Sequence, residues 1–107
     1  MKLTEHQVQA QILDWLKLKR IFHWRNNTGA HSGQHKGKKW FVRYGVPGAP
    51  DIFCVVNGRA IGIEVKAQGK LQSVEQASWE AKFREAGGAY LLTWSLDHVI
   101  AFFGKAI

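Results

Sequence analysis

Asn57-Gly58 stands between two apolar runs, Ile52 to Val56 and Ala60 to Val65, and constrains the fold more than any other feature of the chain. Asn-Gly in that setting is the strongest short-range signal for a hairpin closed by a two-residue type I′ turn. Such a turn sets Val56 against Arg59 and, carried outward along the strands, Asp51 against Glu64. Directly opposed side chains have Cβ atoms ~4.5–5.5 Å apart, and like charges there repel. Lys66 follows Glu64 by two positions and projects from the same face. Two carboxylates opposed in an apolar hairpin need a compensating cation. Lys66 is one candidate, and a divalent metal suits the pair better. The expectation depends on register, because a three-residue loop would send Asp51 and Glu64 to opposite faces.

The rest of the chain fits one domain, residues 1–107. Hydrophobic content of 46%, with five Trp and six Phe, supports a packed globule. Cys54 is the only cysteine, which excludes an internal disulfide and fits a reducing cytoplasm. No apolar run approaches the ~18–20 residues that cross a bilayer, and no signal peptide is evident. The net charge of +7, from fifteen Lys and Arg against eight acids, points to a polyanionic partner, nucleic acid before membrane.

An opening helix is expected from about Glu5 to Lys19, with Thr4 and Gln7 as a capping box and Val8, Ile12, Trp15 and Leu16 as its apolar stripe. Glu5 either extends that stripe or sits as a first-turn acid favouring the helix dipole. Ile21 to Arg25 and Lys39 to Tyr44 read as strands. Asn26 to Lys38, rich in Gly, His, Lys, Asn and Ser, is predicted as a mobile loop, either contacting DNA through Lys36, Lys38 and Lys39 or merely solvated. His31 and His35 do not make a zinc site, since no four-ligand set accompanies them.

After the hairpin, Ser73 and Gln76 form a second capping box, and Gly87 stops that helix. Ala77, Trp79, Phe83 and Ala86 are its expected packing residues. Ala89 to Trp94 is a further strand, and Ser95 caps a last helix carrying Val99, Ile100, Phe102 and Phe103. This order predicts an α/β fold with a mixed sheet, the helix after Ser73 crossing over between parallel strands.

Pro50-Asp51 followed by Glu64-Val65-Lys66 resembles the signature of the PD-(D/E)xK nuclease superfamily. The chain more specifically resembles the small stand-alone VRR-NUC nucleases, many of them encoded by phages. The resemblance includes Glu5, Arg25-Asn26-Asn27, Gly45-Val46-Pro47-Gly48-Ala49-Pro50-Asp51 and Gln76, and so covers nearly the whole chain. It implies a restriction-endonuclease-like αβββαβ core, its mixed central sheet flanked by helices. It further implies a homodimer that acts on branched DNA, including four-way (Holliday) junctions, in the cytoplasm of a bacterial or phage-infected cell.

Phosphodiester hydrolysis is served by a hard divalent ion with oxygen ligands. Asp51 and Glu64 are the expected ligands of Mg²⁺ or Mn²⁺, joined, as the resemblance implies, by the Val65 carbonyl. Glu5 is expected as a further ligand, through water or a second ion. Lys66 would orient the attacking water or stabilise transition-state charge. Gln76 completes its capping box, and the resemblance also places it beside the catalytic strand. Arg25, Asn27, Lys36, Lys38, Lys39 and Arg43 are candidate DNA contacts, which position the duplex without specifying sequence. Two other classes compete: a non-catalytic nucleic-acid-binding module, and a metal-free RNA-processing nuclease.

Overall fold

The computed structural model describes residues 2–26 and 29–106. Its elements run α1 (Glu5–Leu18), β1 (Phe22–Arg25), β2 (Gly29–His35), β3 (Lys38–Tyr44), β4 (Ile52–Val56), β5 (Arg59–Val65), α2 (Val74–Glu85), β6 (Ala89–Thr93) and α3 (Leu96–Ala106). Four strands form a sheet in the order β1-β4-β5-β6, in which only the β5–β6 pair is parallel. Helix α2 supplies the crossover that a parallel pair requires. Without the β2–β3 hairpin, the order is αβββαβ followed by α3, which contains the core that the resemblance implies.

The turn at Asn57-Gly58 sets this sheet. Both residues have positive φ, 52° and 80°, as a type I′ turn demands. Val56 pairs with Arg59 and Ile52 with Ile63, which is the expected register. Ile52, Cys54, Ile61, Ile63 and Val65 therefore share one face, covered by Val8, Ile12 and Leu16 of α1 and by Val99 and Phe103 of α3. Burying each such aliphatic side chain stabilises the fold by ~1.5–3 kcal/mol. Burial also pushes the Cys54 thiol up to about 12, so it stays protonated and inert.

The opposite face is aromatic. Phe53 stacks on Trp24 at 5.4 Å and meets Trp79 and Phe83 of α2 at 5.7 and 6.1 Å. Both capping boxes form as expected, Thr4 with Gln7 and Ser73 with Gln76. Helix α2 ends with Gly88 N–H on Phe83 O and Gly87 N–H on Arg84 O, the Schellman pattern.

Three expectations are corrected. Within the segment from Asn26 to Lys38, expected to be a loop, Gly29–His35 is instead a strand paired antiparallel with β3 across a turn at Lys36-Gly37. Both turn residues have positive φ, 50° and 78°, so this too is a hairpin turn. Its glycines, polar residues and histidines hide the strand, because neither side presents an alternating apolar row. The hairpin packs on no other helix or strand among the described residues and forms an arm, giving the molecule a long axis of 54 Å. Strand β3 accordingly lies outside the main sheet. Second, Ala77 and Ala86 are exposed, since α2 meets the sheet through its aromatic residues Trp79 and Phe83 instead. Third, Ile100 of α3 stays exposed beside the buried Val99 and Phe103.

Candidate active site

The segment from Gly48 to Asp51 is wedged between the sheet and α2. Gly48 has φ of +85°, and a Cβ there would lie 2.4 Å from the Glu75 carbonyl oxygen, so only glycine lets the chain pass the start of α2. Ala49 and Pro50 behind it are buried. Asn26, just past β1, fixes the same segment from the other side: its N–H donates to Asp51 O at 2.7 Å and its amide to Pro50 O at 3.2 Å. The backbone of Asp51 is thus held from two directions before its carboxylate does anything.

That carboxylate accepts the Val65 N–H at 2.9 Å, which ties β4's start to the C-terminal end of β5. Glu64, only 4% exposed, points to the α2 side of the sheet, where Gln76 Nε2 donates to its Oε2 at 3.0 Å. Glu64 Oε1 is buried without a hydrogen-bond partner among the described residues. Asp51, Glu5, His6, Gln9 and Val65 line a cleft of about 230 Å³ at this end of the sheet, beside the N-terminus of α1.

Electrostatics bind these groups together. Burial holds the Glu64 carboxyl well above the usual range, at about 9, and the neighbouring Asp51 and Glu5 charges push the same way against Lys66. Asp51 is also raised, chiefly by burial, with the Val65 N–H, Glu64 and Lys66 opposing. The two carboxyls are close enough to influence each other's titration, and burial makes Glu64 the one that keeps its proton more tightly. Such an arrangement lacks positive charge: two desolvated carboxyls meet, one oxygen has no partner, and one lysine offsets them. A hard divalent cation fits these residues, since it would engage Glu64 Oε1, take the place of its proton and offset the charge of both carboxylates. Among the described residues, no group of three or more His, Cys, Asp or Glu side chains converges tightly enough to ring a metal. Glu5 and Asp51 line the cleft together, while Glu64 is turned to the α2 side, so the three carboxyls do not ring one point.

Of the residues anticipated from sequence, Glu5, Asp51, Glu64, Val65, Lys66 and Gln76 come together at this end of the sheet. Gln76 does both things expected of it, capping α2 and holding Glu64. Lys36, Lys38 and Lys39 are exposed at the hairpin tip, and Arg25 is exposed at the end of β1. Asn27 lies outside the described residues, as does the side chain of Arg43. Sequence reasoning included Asn26 in the resemblance but gave it no role. It likewise missed Gln9, whose position one turn after Glu5 on the same helix face was the available signal.

No protein-family model and no curated protein matches the chain. A solved structure described as a VRR_NUC domain is similar over 98% of this chain and 100% of its own, with a TM-score of 0.64 at 17% identity. No helix among the described residues is long and apolar enough to cross a membrane. The chain has the VRR_NUC fold.

Proposed function

We propose that the protein is a VRR-NUC nuclease that hydrolyses DNA phosphodiester bonds with Mg²⁺ or Mn²⁺, and that its substrate is branched DNA, as for a Holliday-junction resolvase. The observation that carries this reading is the buried Asp51–Glu64 pair with one carboxylate oxygen left unpartnered. A purely binding module has no reason to bear the cost of desolvating two adjacent carboxyls. The metal-free alternative needs a His/Tyr/Lys acid–base set; His6 lines the cleft, but such a set would not call for two desolvated carboxyls beside it.

The ion, when bound, would neutralise phosphate charge and lower the pKa of water. Asp51 and Glu64 would hold it, with the Val65 carbonyl as a third oxygen and Glu5 acting through water. Gln76 fixes Glu64, and the Val65 N–H fixes Asp51, so neither carboxylate is free to rotate away. Lys66, whose charge acts on both carboxyls, would orient the attacking water or stabilise charge on the phosphate. Lys36, Lys38 and Lys39, carried on the hairpin arm, would hold the DNA backbone, with Arg25 nearer the cleft.

Resolving a four-way junction requires two coordinated incisions, and this domain holds one site. A homodimer answers that need. Exposed apolar side chains on the edge strand β1 (Phe22, Trp24) and on the arm (Trp40, Phe41, Val42) support self-association.

The test is incubation with labelled four-way, flap, duplex and single-stranded DNAs in Mg²⁺ or in EDTA. Cleavage of the junction, dependent on metal, is expected. Full cleavage in EDTA would refute the metal mechanism, and preference for flaps by a strict monomer would refute the junction assignment.

A further inference from the structure

The end of β6 adjoins the carboxylate site and carries a side-chain arrangement that the proposed chemistry does not use. Thr93 pairs with Val65, and its carbonyl accepts the Lys66 N–H at 2.8 Å. Trp94 is the next residue, so its backbone lies directly beside that of Lys66. The residue is 49% exposed. The ring is not loose, because it rests against His98 with centroids 5.6 Å apart.

His98 is itself fixed. The Thr93 hydroxyl donates its one proton to Ser95 O at 3.0 Å and accepts the Ser95 N–H at 3.2 Å. Its remaining contact, with His98 Nδ1 at 3.1 Å, must therefore be donated by the imidazole. The His98 N–H also caps onto Ser95 Oγ at 3.2 Å. Nδ1 is thus the protonated nitrogen, Nε2 is left for other partners, and the imidazole plane is set against the indole. A large aromatic face is held rigid, half in water, at the strand ends where a phosphate would sit.

We propose that Trp94, braced by His98, is a shelf on which an unpaired base stacks beside the scissile phosphate. A rigid indole suits this task because every base has a π-face, and little side-chain freedom remains to be lost on binding. A paired base within a duplex is already stacked on both sides and cannot use the shelf. The shelf therefore favours strands with unpaired nucleotides, at branches and ends, over intact duplex. The inference rests on the nucleic-acid function proposed above.

The test measures binding in EDTA, where no cleavage occurs, using a short labelled single-stranded DNA and a blunt duplex with wild type and Trp94→Ala, Trp94→Leu and Trp94→Phe. One lost stacking contact is expected to weaken single-strand binding by roughly tenfold. Trp94→Ala and Trp94→Leu should show that loss and change duplex affinity less than twofold, whereas Trp94→Phe should retain most of the binding. Equal losses on both DNAs, no loss on either, or Leu performing as well as Phe would overturn the shelf. A protein that never cleaves DNA yet shows the Trp94 pattern keeps the shelf and loses the nuclease assignment. One that cleaves but binds independently of Trp94 does the reverse.

Discussion

Gln76 donates its side-chain amide to Glu64 across 3.0 Å while its own carbonyl oxygen accepts the Ser73 N–H at 2.9 Å. One side chain thus starts a helix and orients a buried carboxylate. Gln76→Glu separates these roles, since glutamate also completes a capping box but sets a like charge against Glu64 once Glu64 ionises to hold an ion. That variant should fold near-normally and lose 10–100-fold in activity, the usual cost of disturbing a group that orients a ligand. Gln76→Ala should lose activity and also about 0.3–1.5 kcal/mol of stability. Thermal melts and initial cleavage rates check both, and full activity in Gln76→Glu would remove Gln76 from the site.

The raised Glu64 carboxyl makes stability depend on pH in a definite direction. Its folded value of about 9 lies above its ordinary value of 4.5, so the folded state binds the proton more tightly than the unfolded chain does. Metal-free protein should therefore lose stability as pH rises from about 4.5 to about 9. A divalent ion competes with that proton, so stabilisation by Mg²⁺ or Mn²⁺ should grow over the same interval. Melting temperatures in EDTA and in Mg²⁺ between these limits measure it. A metal-induced shift that does not depend on pH would mean that the ion binds elsewhere.

The pairing of Asp51 with Glu64 was legible in the sequence because a local turn fixes it. Asn57-Gly58 sets the register, and the register brings Asp51 to Glu64 without any long-range information. The capping residues Thr4 and Ser73 were legible for the same reason. The arm was not, because β2 has no periodic apolar row and its pairing depends on a Lys36-Gly37 turn that resembles ordinary loop composition. The packing of α2 was misjudged where alanines were expected to bury, since the wide rings of Trp79 and Phe83 hold the helix off the sheet. The clamp from Asn26 to Pro50 and Asp51 spans elements distant in sequence, and no spacing rule reaches it.

Lys66 is half-buried and its charge acts on both carboxyls. Lys66→Ala should depress kcat far more than DNA affinity, as one of fifteen basic side chains contributes little to overall attraction. Single-turnover cleavage and equilibrium binding separate the two. Collapsed affinity with preserved kcat would make Lys66 a phosphate anchor.

The arm lysines should act through charge. Replacing Lys36, Lys38 and Lys39 with Ala should weaken binding to all DNA shapes alike and flatten the salt dependence by up to ~0.9 in log–log slope per lost phosphate contact. Fluorescence anisotropy across a salt series gives that slope. An unchanged slope would show that the arm does not touch the DNA backbone.

The central claim is that Asp51 and Glu64 hold the ion that cuts DNA, and cleavage of a labelled four-way junction by Asp51→Ala in Mg²⁺ tests it most directly. Binding and melting should be followed on the same samples. The expected result is a folded protein that still binds the junction and leaves it uncut, beside a wild type that cuts in Mg²⁺ and not in EDTA. Cleavage by Asp51→Ala at the wild-type rate would contradict the account.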